Sequence, residues 1–326
     1  MLIISISHLP KKEMLILTGP TAVGKTKLSI ELAKAVGGEI ISADSVQVYK
    51  KMDIGSAKIL PKEMDGVRHH LIDVLSPDEK FDVFRFSQMA KEAMQGIYER
   101  GHIPVLVGGT GFYIQAVLYD IAFSEEETDS ALRRQLEEEA AQKGNAYMHE
   151  KLAAIDPEAA AAIHENNSKR VIRAIEYYMQ TGEKISVHNA REHEKESPYA
   201  FCYFVLNDDR KKLYDRIDAR VDQMVEEGLY EEVKGLLADG IPRSATSMQA
   251  LGYKEMADHI CGDCPLEEAI YLIKRDTRHF AKRQLTWFRR ERDVTWVDRT
   301  AFAGQEDEML AFMLEKVEEM RMGNMV

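Results

Sequence analysis

Gly19, Pro20, Thr21, Ala22, Val23, Gly24, Lys25 and Thr26 match the pattern G-x-x-x-x-G-K-[ST], and their flanks fit it as well. MLILT at 14–18 has the unbroken apolar character of a buried strand. Residues 27–36 have helical spacing and stop at Gly37 and Gly38. Strand, glycine-bearing loop and helix in that order is the context the motif requires. Glycines let the backbone close around phosphate oxygens, and the helix N-terminus aims free N–H groups at the anion. Lys25 adds a point charge, and the Thr26 hydroxyl can hold Mg2+. A plain glycine-rich turn has no use for that lysine and hydroxyl, so a diphosphate or triphosphate is expected here.

The rest of the chain extends this unit. EIISA at 39–43 predicts a second strand, 86–100 an amphipathic helix, and 103–107 a third strand. Strand and helix alternating at these lengths predict an α/β fold with a parallel sheet and helices on its faces. From 121 to 197 the pattern is helical throughout and rich in Ala, Glu, Leu and Arg, so this stretch is predicted to be an all-α insertion domain. Strand character returns at 200–206, and long helices are expected from there to the C-terminus. The core is thus assigned to 14–120 and 198–326, and the insertion to 121–197. With 326 residues, 45% apolar and 30% charged, collagen-like and disordered classes are excluded. No apolar run nears the ~18 residues of a membrane span. The opening residues lack the basic segment and cleavage site of a signal peptide. Three cysteines argue against a disulfide framework and for the reducing cytoplasm.

The phosphate loop alone does not define the reaction. A nucleotide hydrolase would show an apolar strand ending in a metal-binding Asp. The 103–107 strand runs instead into Gly108, Gly109, Thr110 and Gly111, and Asp73 after His70 is a weak substitute. The second strand does end in an acid, Asp44, followed by Ser45, Val46 and Gln47. Strand C-termini face the ligand crevice in open parallel sheets, so Asp44 could accept a proton from an attacking group. It could equally cap the next turn. The glycine segment could be a tight turn, or could let a flat substrate approach closely. Cys261 and Cys264 lack the further ligands a structural zinc needs and read as thiols on a turn. His69 and His70 read as structural or loop-exposed rather than metal-binding.

Charge sharpens the question of partner. The chain carries 43 basic and 55 acidic residues, net −12, which by itself disfavours nucleic acid. Residues 274–292 nonetheless hold eight cations (Lys274, Arg275, Arg278, Lys282, Arg283, Arg289, Arg290, Arg292) against Asp276 and Glu291. Arg275, Arg278, Lys282 and Arg289 fall on one helical stripe. A solvated face usually mixes signs, so a polyphosphate or nucleic-acid backbone is the favoured partner over a bare surface. Arg216 and Arg220 lie one helical turn apart, and Lys169, Arg170 and Arg173 share a helix of the insertion. Singly, each of these also suits a surface ion pair.

Taken in order, GPTAVGKT, DSVQVY, MDIGSAK, LVGGTGFY, NNSKRVIRAIE, RIDARVDQM and AKRQLTWFRR resemble the bacterial tRNA dimethylallyltransferases, also called tRNA isopentenyltransferases. The resemblance runs from about Met14 to Asp298, and seven ordered motifs make it specific. It implies a P-loop NTPase-like core that transfers a dimethylallyl group from dimethylallyl diphosphate to the exocyclic N6 amine of the adenosine 3′ of the anticodon. It further implies that Gly19, Thr21, Ala22, Val23, Gly24, Lys25 and Thr26 cradle the diphosphate, with Arg220 helping to neutralise it and Mg2+ on Thr26. Asp44 matches the general base. Asp44, Ser45, Val46, Gln47, Thr110, Arg133, Ser168, Lys169, Arg170, Val171, Ile172 and the 249–254 segment match positions near tRNA. Arg275, Arg278, Lys282, Arg283, Gln284 and Trp287 are assigned to the same partner, because Gln284 and Trp287 have no evident use in a plain kinase. The insertion and the basic helix would grip the anticodon stem-loop from two sides, in a protein taken to act as a monomer.

Three other readings compete. A P-loop kinase of a small metabolite shares the loop and the acid, but leaves the basic segments without a role. A prenyltransferase of free AMP shares the catalytic core without needing an extended RNA surface. A non-enzymatic RNA-binding module has no reason to combine Lys25, Thr26 and Asp44.

Overall fold

A computed structural model describes residues 11–121 and 130–324. Among these, β1 (Lys12–Thr18), β2 (Gly38–Ala43), β3 (His69–His70), β4 (Ile103–Gly108), β5 (Tyr199–Asn207) and β6 (Val294–Asp298) form one sheet. Its order is β3-β2-β4-β1-β5-β6, and every pairing is parallel. Met14, Leu15, Ile16 and Leu17 of β1 are fully buried, the continuous apolar run of a strand covered on both faces. Helices α1 (Lys25–Val36), α2 (Val83–Glu99) and α3 (Gly111–Leu118) belong to this first half. The second of these begins three residues earlier than its periodicity predicts, because the Asp82 side chain accepts from the Arg85 N–H and caps it. At the opposite, N-terminal end of β2, buried Glu39 accepts from Arg100, His70 and His102. The bonds from Arg100, then from the two histidines, hold its carboxyl at about 2 despite burial. His70 is structural, as expected.

The chain divides into two compact units, one running to Leu118 and resuming at Pro198, the other Tyr119–Ser197. The second unit contains α4 (Ser130–Ile155, interrupted at Gly144), α5 (Pro157–Ala162), α6 (Ser168–Thr181) and α7 (Ile185–Glu194). Its core gathers Leu136, Met148, Leu152, Val171, Ile172 and Ile175. This corrects two expectations: Val171 and Ile172 were assigned to tRNA, yet their side chains are buried. Helical periodicity turns Lys169, Arg170 and Arg173 outward from the same helix. Ser168 Oγ bonds Asn145, and Arg133 lies 3.7 Å from Glu137 and 3.5 Å from Glu176.

After β5 the first unit continues with α8 (Arg210–Glu226), α9 (Leu229–Ala238), α10 (Tyr253–Ile260), α11 (Leu266–Phe288) and α12 (Glu306–Asn324). Here the all-helical expectation fails, since β6 interrupts it and pairs along β5 from Val294 to Asp298. The basic helix ends at Phe288, four residues before its charge run does. Part of its charge is also spent internally: Lys274 and Arg278 pair with Asp222 and Asp218 of α8, and Arg275 with Asp276. Lys282, Arg283, Arg289 and Arg290 remain exposed. Cys261 and Cys264 are free thiols in the turn between α10 and α11. Among the described residues no helix is long and apolar enough to cross a membrane.

The neighbouring strands β1, β4 and β2 end in register, with Thr18 beside Gly108 and Gly108 beside Ala43. A Cβ on Gly108 would sit 2.2 Å from the Ala43 carbonyl oxygen, a backbone atom that cannot turn aside. Gly108→Ala should therefore destabilise the fold by about 1–3 kcal/mol or more. A lower urea midpoint at unchanged slope is the expected signature, and an unaltered midpoint would show that the strand ends can separate freely.

Candidate active site

The next residues after the strand ends form the site. They are Gly19 after β1, Asp44 after β2, Gly109 and Thr110 after β4, Asp208 after β5 and Arg299 after β6. One edge of the sheet thus carries the phosphate loop flanked on both sides by charged groups.

Gly19 and Gly24 have φ of 144° and 95°, and Ala22 between them also lies in the left-handed region at 61°. Gly24 caps α1 with backbone alone; no side chain caps this helix and no acid stands in its first turn. The first-turn N–H groups are therefore available to an anion. Lys25 Nζ folds onto the carbonyls of Gly19 (3.0 Å) and Pro20 (2.9 Å). Burial, and secondly the Arg220 cation, lower its pKa to about 8, while Asp44 opposes the shift. Lys25, Arg220 and Asp44 are thereby brought within electrostatic reach of one another. Arg220 itself is exposed, yet surrounded closely enough by protein that desolvation lowers its pKa too. Val23 is buried beneath the loop, and Thr26 is exposed at its end.

Asp44 does cap the next turn. Its Oδ1 accepts from the backbone N–H of Val46 (2.8 Å) and Gln47 (3.2 Å), capping the turn. Its Oδ2 makes no hydrogen bond among the described residues, so one oxygen orients the carboxylate and the other is free to take a proton. Ser45 is exposed, whereas the Gln47 side chain is engaged with Ser42, Ser56 and Ala57. Asp73, the weak metal-acid candidate, is spent on buried Lys58, which also binds Asp53.

Two expectations about β4's end and α11 need correction. Gln284 is buried; its Oε1 accepts from Thr21 N and its Nε2 donates to Gly109 O, each at 2.9 Å. It clamps the phosphate loop to the glycine segment and presents no free amide to RNA. Trp287 lies against Gly111, where a Cβ would meet its ring at 2.2 Å. The glycines admit the protein's own Gln284 and Trp287, so the close approach is internal. Thr110 follows, its N–H 3.4 Å from Ala43 O.

Residues that sequence reasoning did not single out hold the loop after Asp44. Glu232 of α9 accepts from three successive N–H groups, Asp53, Ile54 and Gly55, and from the Tyr253 hydroxyl. The glycine in MDIGSAK was the available signal, since a Cβ on Gly55 would strike the Tyr253 ring at 2.6 Å.

A phosphate loop on a parallel sheet, with a carboxylate at the end of β2 two strands away, defines a P-loop enzyme that handles a di- or triphosphate. Within that class the chain belongs to the IPP transferase family, whose model matches residues 47–291. It is 56% identical over 306 residues to a tRNA dimethylallyltransferase of Lachnoclostridium phytofermentans, covering 93% of this chain and 98% of that one. A second relative of the same name, from Bacillus pumilus, is 49% identical over 94% and 97% of the two chains. Among solved structures, the full-length tRNA isopentenylpyrophosphate transferase of Bacillus halodurans matches with TM-score 0.72 and 48% identity, covering 95% and 98%. A eukaryotic dimethylallyltransferase captured acting on tRNA matches with TM-score 0.80 and 28% identity, covering 94% of this chain and 80% of that one.

With its pKa lowered to about 8, Lys25 loses its charge progressively as pH rises through that value. Affinity for inorganic diphosphate should fall as pH rises through about 8. Lys25→Arg, charged throughout, should flatten the decline. Calorimetry across this range in the two proteins checks it, and parallel profiles would remove Lys25 as the titrating group.

Proposed function

We propose that this protein transfers a dimethylallyl group from dimethylallyl diphosphate to the N6 amine of the adenosine 3′-adjacent to the anticodon in tRNA, releasing diphosphate. The observation that carries this reading is the juxtaposition of a cationic phosphate cradle with a carboxylate that has one oxygen free, in a chain whose close relatives bear the name of this activity. Adenine's amine is a weak nucleophile because its lone pair is delocalised into the ring. The reaction needs a stabilised leaving group and an acceptor for the amine proton. As the allylic C–O bond breaks, charge builds on the departing diphosphate, where the loop N–H groups, Lys25 and Arg220 oppose it. As the N–C bond forms, Asp44 takes the proton through Oδ2.

Mg2+ fits this arrangement on the donor set. Thr26 offers an exposed hydroxyl with no hydrogen bond among the described residues, and the substrate's phosphates would supply further oxygens. Bound there, the ion would offset charge on the diphosphate. The tRNA is met by the exposed cations Lys169 and Arg170 in the second unit, and by Lys282 and Arg283 in the first. A cytoplasmic location belongs to the same reading, since the acceptor is tRNA.

Labelled dimethylallyl diphosphate offered with unmodified tRNA, or with AMP, and labelled ATP offered separately, test the assignment. Label should enter tRNA alone; phosphate transfer from ATP would sink the reading, and label entering AMP would change the acceptor. Asp44→Asn should lower kcat by about 10²–10⁴-fold with tRNA affinity little changed. Arg220→Ala should raise KM for the prenyl diphosphate, and an unchanged constant would take Arg220 out of the cradle.

A further inference from the structure

The outer side of the phosphate loop is held by groups that take no part in the chemistry above. Asp208, directly after β5, has a side chain only 4% exposed and accepts from Arg216 Nη2 at 2.6 Å. Arg216 Nε in turn donates to the carbonyl of Ala22 at 3.0 Å. Asp208 also lies 3.9 Å from Nε of Arg299, the residue after β6. Arg299 Nη2 is 3.5 Å from Glu306, which itself binds Lys27 of α1. The remaining nitrogen, Arg299 Nη1, is buried and has no hydrogen-bond partner among the described residues. It lies against Gly24, where a Cβ would come within 2.9 Å of it.

These contacts fall on the part of the loop that most needs support. Ala22 is a non-glycine residue at φ 61°, a conformation that persists only where its surroundings over-determine it. The bond from Arg216 to the Ala22 carbonyl fixes that peptide, and the Arg299 guanidinium covers Gly24 two residues on. One acid, Asp208, serves two guanidinium groups, and Glu306 is shared with Lys27. Net positive charge therefore stays beside the loop, and a buried donor kept unpaired is costly unless its field is used.

We propose that Arg216 and Arg299, locked together by Asp208, are positioning residues for the phosphate loop. They hold its Ala22 and Gly24 peptides from outside, keep the loop N–H groups and Lys25 turned inward, and add cationic field behind the departing diphosphate. This rests on the reading of the loop as the prenyl diphosphate site. No residue of the brace is required to touch substrate.

Asp208→Asn preserves shape while releasing both guanidinium groups, and Arg299→Gln and Arg299→Lys separate charge from size. Calorimetric affinity for dimethylallyl diphosphate, KM for each substrate, kcat and the unfolding midpoint should be measured for all of them. Asp208→Asn and Arg299→Gln should weaken prenyl diphosphate binding and raise its KM about tenfold, with KM for tRNA unchanged. Arg299→Lys should recover part of the loss. Diphosphate affinity unchanged in both variants overturns the proposal, as does a lowered unfolding midpoint with unchanged affinity, which would make the brace a matter of stability alone. If Asp208→Asn does not fold, the Arg299 pair decides by the same criteria. Failure of the wild-type protein to bind dimethylallyl diphosphate would instead sink the functional reading on which the proposal rests.

Discussion

The site depends on how closely three parallel strands end together. Thr18, Gly108 and Ala43 stand side by side, and there is no room for a side chain at Gly108. That spacing brings the loop after β1, the acid after β2 and the glycine segment after β4 to one level. The Gln284 amide then ties the first to the third, with one bond to Thr21 and one to Gly109. A buried amide with both ends satisfied holds two loops in one register, and removing either partner would leave a buried polar group unpaired. Trp287, one turn further along α11, closes the same seam over Gly111.

Electrostatics follow from that geometry. Four cations, Lys25, Arg216, Arg220 and Arg299, gather about one short loop, with Asp208 at the end of the adjoining β5 and Asp44 at the end of β2, one strand beyond β4. The depressed pKa of Lys25 is the cost of crowding a cation into partly desolvated space beside Arg220. A bound anion would relieve this crowding. The net charge of −12 is an average over an acidic surface and this concentrated cradle. Bulk composition is a poor guide to the partner for that reason.

Much of the core was legible locally. The phosphate loop, the strands at 14–18, 39–43, 103–107 and 200–206, and the helical character of 121–197 all follow from short-range periodicity and glycine placement. Asp44 was legible because it directly follows an apolar strand. Strand β6 was missed because a strong basic helical run precedes it, although Val294, Thr295, Trp296 and Val297 carry β-branched and aromatic character. Gln284 and Trp287 stood out because a plain kinase has no evident use for them, and the use the structure gives Gln284 is internal. Val171 and Ile172 were drawn in by the resemblance alone, while their own helical phase points them into the core. Arg299 and Glu232 carry no local pattern, and Asp208 reads locally only as the opening of the next helix.

From the sequence by itself came the chemistry available to this protein: a loop able to bind phosphate, an acid beside it, and cations in surplus at a few places. Motifs of this kind are legible because they act over a handful of consecutive residues, where spacing and backbone geometry are coupled. Only the tertiary structure decided which of those groups face the site. It spent Asp73 on Lys58, Lys274 and Arg278 on α8, and Gln284 on the loop itself, and it brought Asp208 and Arg299 behind Gly24 from positions about 180 and 275 residues away along the chain. Side-chain partnership at such separation is set by strand order and burial, which no local pattern encodes.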